Sequence, residues 1–196
     1  YRVPAIVRWP NHIKPDTISN TVMSHQDWMP TLLAAAGVAD AKEQLLKGYK
    51  AGVKNFKVHL DGYNFLPYLE GKEDKGPRTD FYYFSDDGKL LGVRDGDWKL
   101  VFAEQRAHQL DVWRDPFVEL RIPKVFNLRR DPFERADTDS NNYNQWWDRK
   151  VGIVAMPALV RVQQFLTTFQ QFPPRQRPAT FTADQMVEKF MQYHAQ

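Results

Sequence analysis

The sequence predicts an α/β piece of one strand and one helix, followed by a small α+β unit whose four-stranded antiparallel sheet is packed by a long C-terminal helix. Three observations support this. Residues 3–9, Val-Pro-Ala-Ile-Val-Arg-Trp, form a short apolar run closed by Pro10-Asn11, the pattern of a strand covered on both faces. Between residues 81 and 128, aromatic and β-branched runs are separated by Asp-Gly turns, a strong short-range hairpin signal. From Trp147 onward, Val151, Val154, Ala158, Val162, Phe165 and Phe169 recur at steps of three and four, which lines one face of a helix.

Taken in order, the strand at 3–9 needs covering layers, and a connection leads from it to a helix. Ser24-His25-Gln26-Asp27 has the S-x-x-acid form of a capped helix start, residues 32–36 are helix formers, and Gly37 is a stop. Pro30 lies inside this helix and predicts a kink. Residues 38–80, punctuated by Gly48, Gly52, Gly62, Pro67, Gly71, Gly76 and Pro77, read as irregular apart from a helical turn at 65–69. A three-stranded meander is predicted at 81–84, 90–94 and 97–103, with turns at Asp86-Asp87-Gly88 and Asp95-Gly96; residues 125–128 add a fourth strand, closed by Asp131-Pro132. Pro157 predicts a bend in the long helix. After Pro173-Pro174, Thr182 with Gln185 forms a second capping box, and Met186, Val187, Phe190 and Met191 give a terminal helix its apolar face. The expected organisation is an α/β end at 1–40, an irregular crossover at 41–80, and an α+β subdomain at 81–196.

Composition narrows the function classes. The 27 Lys and Arg and 24 Asp and Glu leave a formal charge of +3, with the signs interspersed; this argues against a nucleic-acid-binding stripe. The absence of Cys excludes disulfides, thiolate metal sites and a cysteine nucleophile, and leaves the compartment open. No run reaches the roughly 18 apolar residues that cross a bilayer, so no membrane partner is expected. The opening, without a leader, reads as the edge of a strand cut from a longer protein. Exposed strand edges and apolar patches predict a homo-oligomer.

The blocks Arg2-Val3-Pro4 with Trp9-Pro10, and Ser24-His25 with Asp27, Pro30-Thr31-Leu32-Leu33 and Gly37, resemble those of type I sulfatases. These are the arylsulfatase family, within the alkaline-phosphatase-like superfamily, and the bacterial members are the most similar. Asp61-Gly62, Leu66-Pro67-Tyr68-Leu69, Tyr82-Tyr83, Arg94-Asp95-Gly96-Asp97-Trp98-Lys99-Leu100, Phe126-Asn127-Leu128 and Asp131-Pro132 follow in the same order. The resemblance implies the C-terminal portion of a sulfuric ester hydrolase, with the strand and helix at 1–40 belonging to its α/β domain. It further implies a parent that uses calcium and a formylglycine made in a C/S-x-P-x-R motif, acts on sulfate esters, and is exported or periplasmic. The partner would be the remainder of the catalytic domain.

None of that machinery can be placed on residues of this chain. Ser19, Ser24, Ser85 and Ser140 are not followed by x-Pro-x-Arg, and the family's Asp-Asn or Asp-Gln metal pair does not occur. The chain alone is therefore expected to be inactive, with no catalytic residue, metal ligand or cofactor of its own. His25, His59 and Asp61 are the candidates for the rim of a substrate pocket, because the first lies in the S-H-x-D block and the others beside Gly62 in a loop. For His25 the competing reading is a local hydrogen bond supporting the helix start. Arg94 and Lys99 suit sulfate by charge, but strand residues of this kind commonly serve solubility. The alternative class is a non-catalytic module holding a sulfated glycan or other polyanion on Trp98, Trp113, Trp146 and Trp147.

Overall fold

The computed structural model describes residues 3–173; the expected terminal helix around 186–191 lies outside them. The chain divides into two compact units, ending and beginning at Phe81 and Tyr82.

In the first unit, the Ser24 backbone N–H donates to Asp27 Oδ2 at 2.7 Å, which is the acidic arm of the predicted capping box. A 3₁₀ turn at His25–Asp27 runs into α1, Trp28–Ala35. Pro30 falls in the first helical turn, where proline is tolerated, so the expected kink has no cause. Proline has no N–H to offer the Gln26 carbonyl four residues back, and Gly62 packs so closely there that a Cβ would lie 2.1 Å from that oxygen.

Two expectations for this unit need correction. Residues 3–9 form no strand, and Ile6 is 96% exposed. A strand exists only by pairing its backbone with a neighbour, and no described residues pair with this one. Residues 38–80 are also more regular than predicted. They contain α2, Ala41–Lys47, then the hairpin β1, Tyr49–Ala51, with β2, Lys54–Phe56, and then α3, Leu66–Leu69. Tyr49 pairs with Phe56 and Ala51 with Lys54, and Gly52 occupies the turn at φ 62°. All six hairpin residues are exposed, so the two-residue alternation that betrays a half-buried strand is missing.

Side-chain clips fasten the irregular N-terminal stretch. The Trp9 and His12 rings stack at 3.9 Å, His12 Nδ1 lies 3.3 Å from Glu70 Oε1, and the Ser19 and Tyr68 hydroxyls share a 2.6 Å hydrogen bond. Lys72 first and His12 second hold the Glu70 carboxyl below its usual range.

The sheet contains β3, Asp80–Phe84; β4, Leu90–Asp95; β5, Trp98–Glu104; and β6, Val118–Asn127, neighbours in that order. Asp95 pairs with Trp98, so the two-residue loop is Gly96-Asp97, one position beyond the predicted turn, with Gly96 at φ 57°. The last strand is longer than expected, ten residues, and its register with β5 shifts between Val101 and Ala103. A short α4, Ala136–Asp139, precedes the long helix. That helix comprises α5, Tyr143–Lys150, a π-helical turn, Val151–Ala155, and α6, Met156–Gln171. The π turn stands immediately before Pro157, which withholds a donor from the preceding turn.

Ala155, Ala158 and Val162 of the helix pack with Val93, Leu100 and Val125 of the sheet in one core, and Tyr82 stacks on Phe165 at 4.1 Å. The helical stripe is thus core. Tyr143–Gln171 is long and apolar enough, by length and composition alone, to cross a membrane, a segment the sequence reading overlooked. Ala155, Ala158 and Val162 of this segment are buried against the sheet, while Ile153, Met156 and Val160 on the same segment stay exposed.

Candidate functional site

A buried ion pair organises the first unit around two of the sequence blocks. Asp27 and Arg78 are both buried. Arg78 donates from Nε to Asp27 Oδ2 at 2.8 Å and from Nη2 to Oδ1 at 2.6 Å, the planar two-pronged geometry that suits guanidinium and carboxylate. Its Nη2 also reaches the Asp61 carbonyl at 2.8 Å, and its Nη1 reaches the Asp80 carbonyl at 3.2 Å. The Tyr63 N–H donates to Asp27 Oδ1 at 2.8 Å. Thr31 Oγ1 donates to the Asp27 carbonyl at 2.6 Å and accepts from the Phe65 N–H at 2.9 Å. Among the described residues no buried side-chain polar atom lacks a partner, which is what so costly a burial of charge requires.

The node pins the backbone on both sides of Gly62, and Gly62 in turn sits against Gln26. In this way the segment carrying His25 and the segment carrying His59 and Asp61 are held side by side. The His59 Nδ1 and Asp61 Oδ1 atoms are 3.0 Å apart at a partly exposed position. His25 is exposed on its turn. The residue that supports the helix start is Asp27, contrary to the local reading of His25.

Lys42 and Arg78 both lie over the Tyr63 ring, at 4.6 and 4.7 Å from its centroid, and Lys42 Nζ approaches the Gly62 carbonyl at 3.4 Å. Burial pushes the Lys42 ammonium below its ordinary value, with Asp61 opposing. Burial, then Asp80, pushes the Tyr63 phenol up. Sequence reasoning missed Arg78, Thr31 and Tyr63. Thr31 stood in a quoted block, but a lone arginine after Gly76-Pro77 carried no signal, since its partner lies 51 positions away.

In the second unit, Lys99 does not serve solubility. It is buried on β5, bonded to both Glu134 carboxylate oxygens at 2.7 and 2.6 Å, and lies 4.9 Å from the Tyr83 ring centroid. Arg94 Nε donates to the Gly96 carbonyl at 2.9 Å, bracing the hairpin. Of the four tryptophans weighed for glycan binding, Trp98 and Trp146 stack on each other at 6.0 Å beside the core. Trp147 packs there too and donates from Nε1 to the Pro123 carbonyl at 2.9 Å. Only Trp113 of the four stands in solvent, 82% exposed.

Among the described residues no three His, Asp or Glu side chains gather to hold a metal ion, and the chain has no Cys and no C/S-x-P-x-R segment. The described side chains thus offer a divalent cation no three-carboxylate or imidazole cage, and the sequence offers no residue in the formylglycine motif. What the geometry supplies is a rigid anchor, with a hydrogen-bonded His-Asp pair at its edge.

Residues 1–38 match the family model described as Sulfatase. Arylsulfatase A of Bos taurus is 29% identical over 95% of this chain and 33% of its own length. N-acetylgalactosamine-6-sulfatase of Canis lupus familiaris is 28% identical over 68% of this chain and 26% of its own length. The solved structure of PsFucS1 sulfatase from Pseudoalteromonas sp. superposes with a TM-score of 0.62 at 20% identity, covering 84% of this chain and 29% of that one; this likeness bears on the fold alone. The chain spans about a third or less of the length of these relatives.

Proposed function

From the place in the sulfatase superfamily that these likenesses support, we propose that the chain forms the C-terminal portion of a sulfate-ester hydrolase and is inactive without the remainder. The observation that most supports this is an uncovered apolar surface in the first unit. Residues 3–9 have the composition of a doubly covered strand, yet among the described residues they are unpaired and largely exposed, and on α1 Leu32 is 63% exposed beside Met29. Apolar segments of this kind call for a covering layer, and the missing layer is assigned to the rest of the catalytic domain. Calcium and the formylglycine nucleophile are assigned to that remainder as well.

In this reading the Asp27–Arg78 node fixes the first unit, so that His25, His59 and Asp61 present their polar groups at the margin of a substrate pocket completed elsewhere. A sulfated sugar is the proposed substrate class, on the strength of the sugar sulfate named for the canine relative. Sulfuryl transfer needs an activated nucleophile and positive charge on the departing group, and the described side chains provide no nucleophile poised for it.

Two measurements test the proposal. The purified chain, incubated with calcium and p-nitrophenyl sulfate, should release no nitrophenol above buffer alone; turnover would overturn the inactivity. Coding DNA adjoining residue 1 should contain an in-frame C/S-x-P-x-R segment. An in-frame stop codon without such a segment would remove the hydrolase reading.

A further inference from the structure

The connection between β5 and β6 is built as a rigid support. The Gln105 side chain donates from Nε2 to the Asp115 carbonyl at 2.8 Å and accepts from the Ala107 N–H at 2.8 Å. The base of the loop is therefore tied across ten residues by one side chain. Within it, Gln109–Trp113 forms a 3₁₀ helix, closed by backbone bonds from Arg114 and Asp115 to the Asp111 carbonyl, both at 2.9 Å. At the tip stand Leu110, 78% exposed, and Trp113, 82% exposed. Arg114 follows directly; it is 77% exposed and is held by the Asp111 carboxylate.

A braced turn loses little conformational freedom when a ligand settles on it. An indole held out in water offers a broad apolar face, and a guanidinium offers planar donors matched to an oxyanion. A sulfated sugar joins those two requirements in one molecule, since a pyranose ring presents a face of C–H groups and its ester an anionic oxygen cluster. We propose that the Leu110–Arg114 turn is a glycan-binding platform, with Trp113 stacking on a sugar ring and Arg114 receiving a sulfate group. The choice of a sulfated sugar rests on the substrate class proposed above. The site lies wholly within the second unit and requires no catalytic activity.

Binding of dextran sulfate and of unsulfated dextran to the full chain, measured by calorimetry, tests the platform. The expected result is that dextran sulfate binds, that W113A weakens it about tenfold, and that W113F restores most of the loss. R114Q should remove most of the preference for sulfated over plain dextran. Because both side chains point to solvent, the variants should keep the parent circular dichroism and melting temperature. The platform is overturned if dextran sulfate does not bind, if W113A binds it as the parent does, or if inorganic polyphosphate, an anion without sugar, competes equally well in parent and W113A. None of these results bears on the hydrolysis and coding-DNA tests, so the two readings fail separately.

Discussion

Truncating Arg78 to alanine leaves the Asp27 carboxylate buried with two of its four donors gone, those from Ser24 and Tyr63 alone remaining. Stranding a buried charge in this way costs about 3 to 5 kcal/mol, so R78A should shift the urea midpoint of the first unit sharply downward. A wild-type midpoint would show that the pair is dispensable. Gly62 is constrained by space: a Cβ would meet the Gln26 carbonyl at 2.1 Å, and G62A should cost about 1 to 3 kcal/mol as an overpacked contact. Lys42 supplies a pH test. Burial lowers its folded value below 10.5, so the unfolded chain holds that proton more tightly and this contribution to stability rises as pH climbs toward 10.5. Asp61 opposes the shift, so D61N should lower the Lys42 titration further in a ¹³Cε NMR experiment. An upward move would reverse the sign of the argument.

At the level of elements, the hairpin of β4 and β5 depends on Gly96 at φ 57°, a left-handed conformation that costs an ordinary L-residue about 1 kcal/mol. G96A should lower stability by that amount in thermal unfolding, leaving the strand register intact. Helix α6 depends on the smallness of Ala158, fully buried against the sheet; A158L should cost about 1 to 3 kcal/mol. The strands 81–84, 90–94 and 97–103 and the helical stripe were legible because hairpin turns and apolar periodicity are local. The exposed hairpin β1–β2 lacks the alternation of a half-buried strand, and the seven-residue α2 is too short to establish a three-to-four apolar stripe. Lys99 was misread because a charged residue in a strand announces its burial only once Glu134, brought in from 35 positions away, is in place.

For the molecule as a whole, the uncovered residues of the first unit predict a separation between stability and assembly. I6D and L32Q change exposed side chains, so each should alter the unfolding free energy of this chain by no more than about 0.5 kcal/mol. The same changes should reduce self-association at high protein concentration, read by light scattering, because apolar patches are what pair with other chains. A monomer at every concentration for the parent chain would remove the predicted homo-oligomer.

Read alone, the amino-acid sequence established the sulfatase-like blocks, the antiparallel sheet with its covering helix, and the lack of a nucleophile motif, for these depend on residue type and short spacing. Which side chains meet was decided by the tertiary structure. Asp27 looked like a helix cap and became half of a buried ion pair, three of four tryptophans turned inward, and residues 3–9 found no neighbouring strand among the described residues. Burial and pairing are properties of positions distant in the chain, and no local pattern encodes the free energy of bringing them together.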